Sequence, residues 1–142
     1  TLEALALASG EARVFACLDA RMNEVYFATY AVSGRQATEI DAPRVAPPAE
    51  VALPAAPPAE VAVPVGEGWI GCGDGFASYA AALPKFARIR SDVCPTAAAV
   101  AEIAAQRFAR GEGVDAAAAM PLYVRNKVAL TTAERFARGG VR

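Results

Sequence analysis

The chain has 142 residues, 55% of them hydrophobic, and its 14 basic and 15 acidic side chains give a net charge near −1. That length sets about one domain, with a core that removes roughly two-thirds of the unfolded surface from water. The charge balance supplies no basic face for direct nucleic-acid binding, and no apolar run approaches the roughly 18 residues of a membrane span.

Residues 1–10 begin without Met in a helical period that places Leu2, Leu5 and Ala8 together and ends at Gly10, as expected of the end of a longer helix and hence of a fragment. Val14–Leu18 is a continuous apolar run, the pattern of a strand buried on both faces. Glu24–Val32 is rich in aromatic and β-branched residues, and the short polar link between the two runs predicts an antiparallel hairpin. Ser33-Gly34-Arg35-Gln36 turns the chain into an edge-like third strand over Ala37–Val45.

Residues 46–65 hold two near copies of one phrase, Pro47-Pro48-Ala49-Glu50-Val51-Ala52 and Pro57-Pro58-Ala59-Glu60-Val61-Ala62. Two copies are too few for a solenoid, so the segment reads as a short helical turn followed by a semi-rigid Pro/Ala connector. Trp69–Cys72 is expected as a strand, Phe76–Leu83 as a helix and Ala87–Ile89 as a brief strand. Pro95–Arg110 is the strongest helix signal, with Pro95 in the first turn, an apolar stripe of Val100, Ile103, Ala104 and Phe108, and Gly111 as the stop. Strands alternating with helices give a mixed α/β (α+β) layer for residues 11–130, with a short tail over residues 131–142.

Histidine is absent, which removes the commonest general base and the commonest metal ligand together. No Ser–His or Cys–His nucleophile pair can therefore form. Cys17, Cys72 and Cys94 are an odd set without C-x-x-C spacing. They read as small buried hydrophobes of a reducing compartment, and with no signal peptide in view the expected location is the cytoplasm.

Three groups of residues carry candidate chemistry. Asp19, Arg21 and Glu24 are either paired carboxylates with an electrophilic arginine or a hairpin tip in which Asp19 and Asn23 cap amides and Arg21 pairs with a neighbouring acid. Spacing favours the second reading. Gly71, Gly73, Asp74 and Gly75 stand at a strand-to-helix turn that could cradle a phosphate, but they lack G-x-G-x-x-G spacing and a Walker lysine, and Asp74 would repel the anion. A tight turn needing positive φ is favoured over a nucleotide loop. Pro121–Ala129 is a short extended segment in which Tyr123 and Arg125 share a face and anchor it to the body or to a partner.

Asp19-Ala20-Arg21-Met22-Asn23-Glu24-Val25-Tyr26, followed about a hundred residues later by Pro121-Leu122-Tyr123-Val124-Arg125-Asn126-Lys127-Val128-Ala129, resembles the TsaB (YeaZ) family. The turn Ile70–Gly75 and the alanine-rich run before Pro121 agree with it; the Pro/Ala repeat departs from it. The resemblance implies the C-terminal lobe of an actin-like (ASKHA, ribonuclease H-like) fold. The family's N-terminal D-T-S and G-P-G-S-F-T-G strings do not occur here. It further implies a non-catalytic subunit that supports the transferase TsaD, together with the ATPase TsaE, in making threonylcarbamoyladenosine on tRNA. Homodimerisation would run through the N-terminal lobe. Asp19, Arg21, Glu24, Tyr26, Tyr123, Arg125 and Asn126 become structural or partner-contact candidates. No cofactor or metal is expected in this chain, and ATP is expected only in the assembled complex. The competing readings are a glycoprotease-like hydrolase using Asp19 and Glu24, after an older designation of the family, and a stand-alone nucleotide-binding module at Gly71–Gly75.

Overall fold

The computed structural model describes residues 1–52 and 68–125. The second Pro-Pro copy, Asn126 to Ala129 and the tail lie outside the described residues. Helix α1 (Leu2–Ser9) leads into strands β1 (Arg13–Asp19), β2 (Val25–Ser33) and β3 (Gln36–Ala46), followed by a single 3-10 turn at Pro48–Glu50. Strand β4 (Ile70–Cys72), helix α2 (Gly75–Tyr79), strand β5 (Ile89–Arg90) and helix α3 (Ala97–Ala109) complete the layers, with a last 3-10 turn at Ala116–Ala118.

The five strands form one sheet in the order β3-β2-β1-β4-β5. Strand β1 pairs antiparallel with β2 and parallel with β4, β2 pairs antiparallel with β3, and β4 pairs parallel with β5. Strand β2 alone therefore runs against the rest. The hairpin expected from the two apolar runs is present, with Asp19 opposite Val25 and Val14 opposite Tyr30.

Because side chains alternate across a strand, β1 and β2 each feed two cores. Val14, Ala16, Ala28 and Tyr30 face α1, where they meet Leu2, Leu5 and Ala6. Phe15, Cys17, Val25 and Phe27 face the other way, towards Phe76 and Leu83. Phe15 is the hub of that second core. Its ring stacks on Phe27 with centroids 5.9 Å apart and meets Phe76 edge-on at 6.1 Å and Phe86 at 5.3 Å. Burial on both faces explains why Val14–Leu18 reads as unbroken apolar text.

Several expectations need correction. Helix α1 buries Leu2 and Leu5 as expected, but Ala8 is exposed and Ser9, with Ala4 and Ala6, completes the inward face. Helix α2 is only five residues long; the chain turns after Tyr79, where Lys85 Nζ donates to Ala80 O. Helix α3 starts at Ala97: Thr96 is its cap, its Oγ1 accepting from Ala99 N at 3.1 Å, and Pro95 precedes the cap.

The stripe on α3 is only partly covered: Val100, Ile103 and Ala104 line a cleft with Thr1, Glu3 and Ala4. Val100 is 52% and Phe108 78% exposed, and Ala99 is the helix's buried residue. Polar ties hold α3 in place: Arg107 Nη2 reaches Glu3 Oε2 at 2.5 Å, Glu102 pairs with Arg35, and Gln106 Nε2 donates to Arg35 O at 2.5 Å. Cys94 is exposed, whereas Cys17 and Cys72 are buried.

Candidate functional site at the hairpin tip

The β1–β2 hairpin ends in an unusual tip. Arg21, Met22 and Asn23 take φ values of 61°, 57° and 59°, three successive left-handed residues without a glycine among them. Each costs about 1 kcal/mol relative to a right-handed conformation, so the tip persists only where its surroundings over-determine it.

Part of that determination is local. Asp19 Oδ1 accepts from Arg21 N at 2.8 Å, Ala20 N donates to Glu24 O at 2.9 Å, and Glu24 N donates to Arg21 O at 3.1 Å. Arg21 Nη1 also lies 3.4 Å from Asp19 Oδ2, but the Arg21 side chain is 86% exposed and the pair adds little in water.

The rest comes from distant segments. Asp74 Oδ1 accepts from the Asp19 backbone N–H at 2.9 Å, and Tyr79 Oη lies 3.4 Å from Asp19 Oδ1. Desolvation, then the charge of Asp19 and the hydrogen bond to it, push the Tyr79 hydroxyl up. From the chain's far end, Arg125 Nη2 donates to Ala20 O at 3.0 Å and lies 2.5 Å from Glu24 Oε2. The same guanidinium sits over the Tyr26 ring, 5.5 Å from its centroid. Its side chain is 12% exposed, so the pair with Glu24 is shielded from water on one side.

The glycine turn is fitted to the hairpin's underside. A Cβ on Gly73, whose φ is +110°, would lie 2.2 Å from Cys17 O, and one on Gly75 would lie 2.5 Å from Cys17 Sγ. A Cβ on Gly71 would meet Phe76 at 2.6 Å. The turn's amides are used inside the fold: Gly71 N donates to Arg88 O, Gly73 N to Arg90 O and Phe76 N to Gly73 O. Asp74 is turned to Asp19, and three of the amides along this segment are spent on the protein's own carbonyls. Burial pushes the Cys17 thiol up to about 12, helped by the negative charges of Asp74 and Asp19.

Asp19, Glu24, Tyr26, Asp74 and Arg125 are thus brought into one cluster. Tyr123 is not part of it; its side chain is 74% exposed, beside a shallow groove that it lines with Leu122, Val124, Pro43 and Arg44. Asn126 lies outside the described residues. Sequence reading missed the Ala20 carbonyl, Tyr79 and the link from Asp74 to Asp19. Spacing carries no signal for bonds between residues 55 and 105 positions apart. Among the described residues, no three His, Cys, Asp or Glu side chains gather into a metal-binding group, and no helix is long and apolar enough to cross a membrane.

A five-stranded sheet in the order 3-2-1-4-5, with only the second strand reversed and helices on both faces, defines a ribonuclease H-like lobe of the actin-like class. Among solved structures the chain is similar to an uncharacterized protein with similarity to peptidase YeaZ from Pseudomonas aeruginosa, at 32% identity and a TM-score of 0.73 over 87% of this chain and 56% of that one. It is also similar to YeaZ from Pseudomonas aeruginosa, at 32% identity and a TM-score of 0.71 over 86% of this chain and 55% of that one. No family model and no curated protein matches it. The chain thus resembles one lobe of YeaZ (TsaB) proteins and spans a little over half the length of those two structures.

Proposed function

We propose that the chain is a lobe of a non-catalytic partner subunit that supports TsaD, together with TsaE, in forming threonylcarbamoyladenosine on tRNA in the cytoplasm. The observation that carries this reading is the likeness to YeaZ at 32% identity over most of the chain. The chemistry of the tip supports it. Asp19 and Asp74 are occupied by backbone amides and Glu24 by a guanidinium, so each carboxylate maintains the shape of the lobe. A general acid or base needs a carboxyl group free to exchange a proton with substrate. The absence of histidine from the chain agrees with a supporting role. Any ATP belongs to the assembled complex on this reading.

Size-exclusion chromatography of the full-length protein carrying this lobe, mixed with TsaD of the same organism, tests the proposal. Co-elution is expected, with no peptide cleavage by the protein alone. Separate elution, or cleavage that disappears in Asp19→Asn, would replace the partner reading by the hydrolase one.

A further inference from the structure

From residue 107 to residue 123 every residue is exposed, including Phe108, Val114, Met120, Leu122 and Tyr123. Leu122 and Tyr123 run exposed along the Pro43–Val45 side of β3, and the chain is first half-buried at Val124 and Arg125. A segment with so little burial belongs to the low-stability end of a fold and opens far more often than the sheet. Its return contact, however, is made with the strained tip. Arg125 bonds the Ala20 carbonyl at 3.0 Å, approaches the Arg21 carbonyl at 3.5 Å and pairs with Glu24 at 2.5 Å. These groups bracket the three left-handed residues on both sides.

We propose that Arg125 is a conformational latch, through which the exposed segment sets the shape of the hairpin tip. With Arg125 seated, the Ala20 and Arg21 carbonyls are held in the directions that left-handed backbone gives them. With Arg125 withdrawn, those carbonyls turn to water, the left-handed run loses its long-range support and the tip relaxes. Whatever takes hold of residues 107–123 therefore alters the presentation of Arg21 and Met22, and by reciprocity a ligand of the tip alters the docking of the segment. This coupling needs no displacement of the sheet and does not depend on the proposed role in tRNA modification.

Amide hydrogen exchange in the intact chain tests it. The Ala20 and Glu24 amides report the tip, since they bond across it, and the Ala16 and Cys17 amides report the central strand. Arg125→Gln is expected to speed exchange at Ala20 and Glu24 on the order of tenfold, the loss of a charge-assisted hydrogen bond, with Ala16 and Cys17 unchanged. Exchange at the tip within about twofold of the parent would overturn the latch. If Arg125→Gln also opens the central strand, Glu24→Gln carries the decision, because its side chain meets Arg125 while its backbone bonds remain. There, faster exchange confined to the tip supports the latch, and unchanged exchange at the tip overturns it.

Discussion

Asp74 and Asp19 are joined by a single 2.9 Å bond, the carboxylate of one accepting from the backbone amide of the other. That bond fastens the turn after β4 to the end of β1, at the edge of the core around Phe15, and it turns two acidic residues into structural parts. Asp74→Ala leaves the Asp19 amide without its partner and is expected to cost about 1–2 kcal/mol. Asp74→Asn keeps an acceptor oxygen and is expected to lose less than half of that. Urea unfolding of the two variants checks the order; equal losses would mean that charge, not acceptance, is what matters.

Gly73 and Gly34 separate close approach from backbone conformation. Both have positive φ, but a Cβ on Gly34 meets nothing within 4 Å, whereas one on Gly73 lies 2.2 Å from Cys17 O. Gly34→Ala is expected to cost about 1 kcal/mol, the strain alone. Gly73→Ala is expected to cost more than about 3 kcal/mol, or to give no folded protein, since a backbone carbonyl cannot step aside. Thermal unfolding distinguishes them, and similar midpoints would refute the packing account.

The thiols should answer to burial. Cys94 is exposed while Cys17 and Cys72 are buried, so iodoacetamide is expected to modify Cys94 first and the other two only through opening. Mass spectrometry of the labelled peptides reads this directly. Burial pushes Cys17 up to about 12 and Cys72 up to about 11 from an ordinary 9.0. The folded state therefore holds protons that the unfolded chain releases. The stability contribution is complete below pH 9 and is lost as pH rises towards 11 and 12. Urea midpoints at about pH 8 and about pH 10.5 should fall, and fall less in a variant with both residues changed to Ala.

Tyr123 and Arg125 are expected to part company on mutation. Arg125→Ala removes a guanidinium that is 12% exposed and leaves Glu24 unpaired, for an expected loss of about 2 kcal/mol. Tyr123→Ala, at a side chain 74% exposed, is expected to stay within about 0.5 kcal/mol of the parent. Denaturant titration settles the pair; comparable losses would show that Tyr123 packs on the lobe.

Much of the sheet was readable from local text. The apolar run of β1, the aromatic alternation of β2 and the polar link between them specify a hairpin, and both faces of that hairpin are buried as the unbroken run implies. The α3 stripe was legible as a face but not as a core: Val100, Ile103 and Ala104 line an open cleft beside α1, and Phe108 at the helix end is 78% exposed, because a helical period says nothing of how fully a face is covered. The left-handed tip was hidden, since Arg21-Met22-Asn23 contains no glycine to announce positive φ. The bonds from Asp74 and Arg125 to the tip were hidden for another reason. They are long-range tertiary contacts, and a carbonyl or amide carries no side-chain signature at all.

Reconstituted modification of tRNA measures the central claim most directly. TsaD, TsaE and the remaining components of one organism would be assayed for threonylcarbamoyladenosine with and without the full-length protein that carries this lobe. Modification should depend on that protein. Equal modification in its absence would contradict the assignment of this lobe to a supporting subunit.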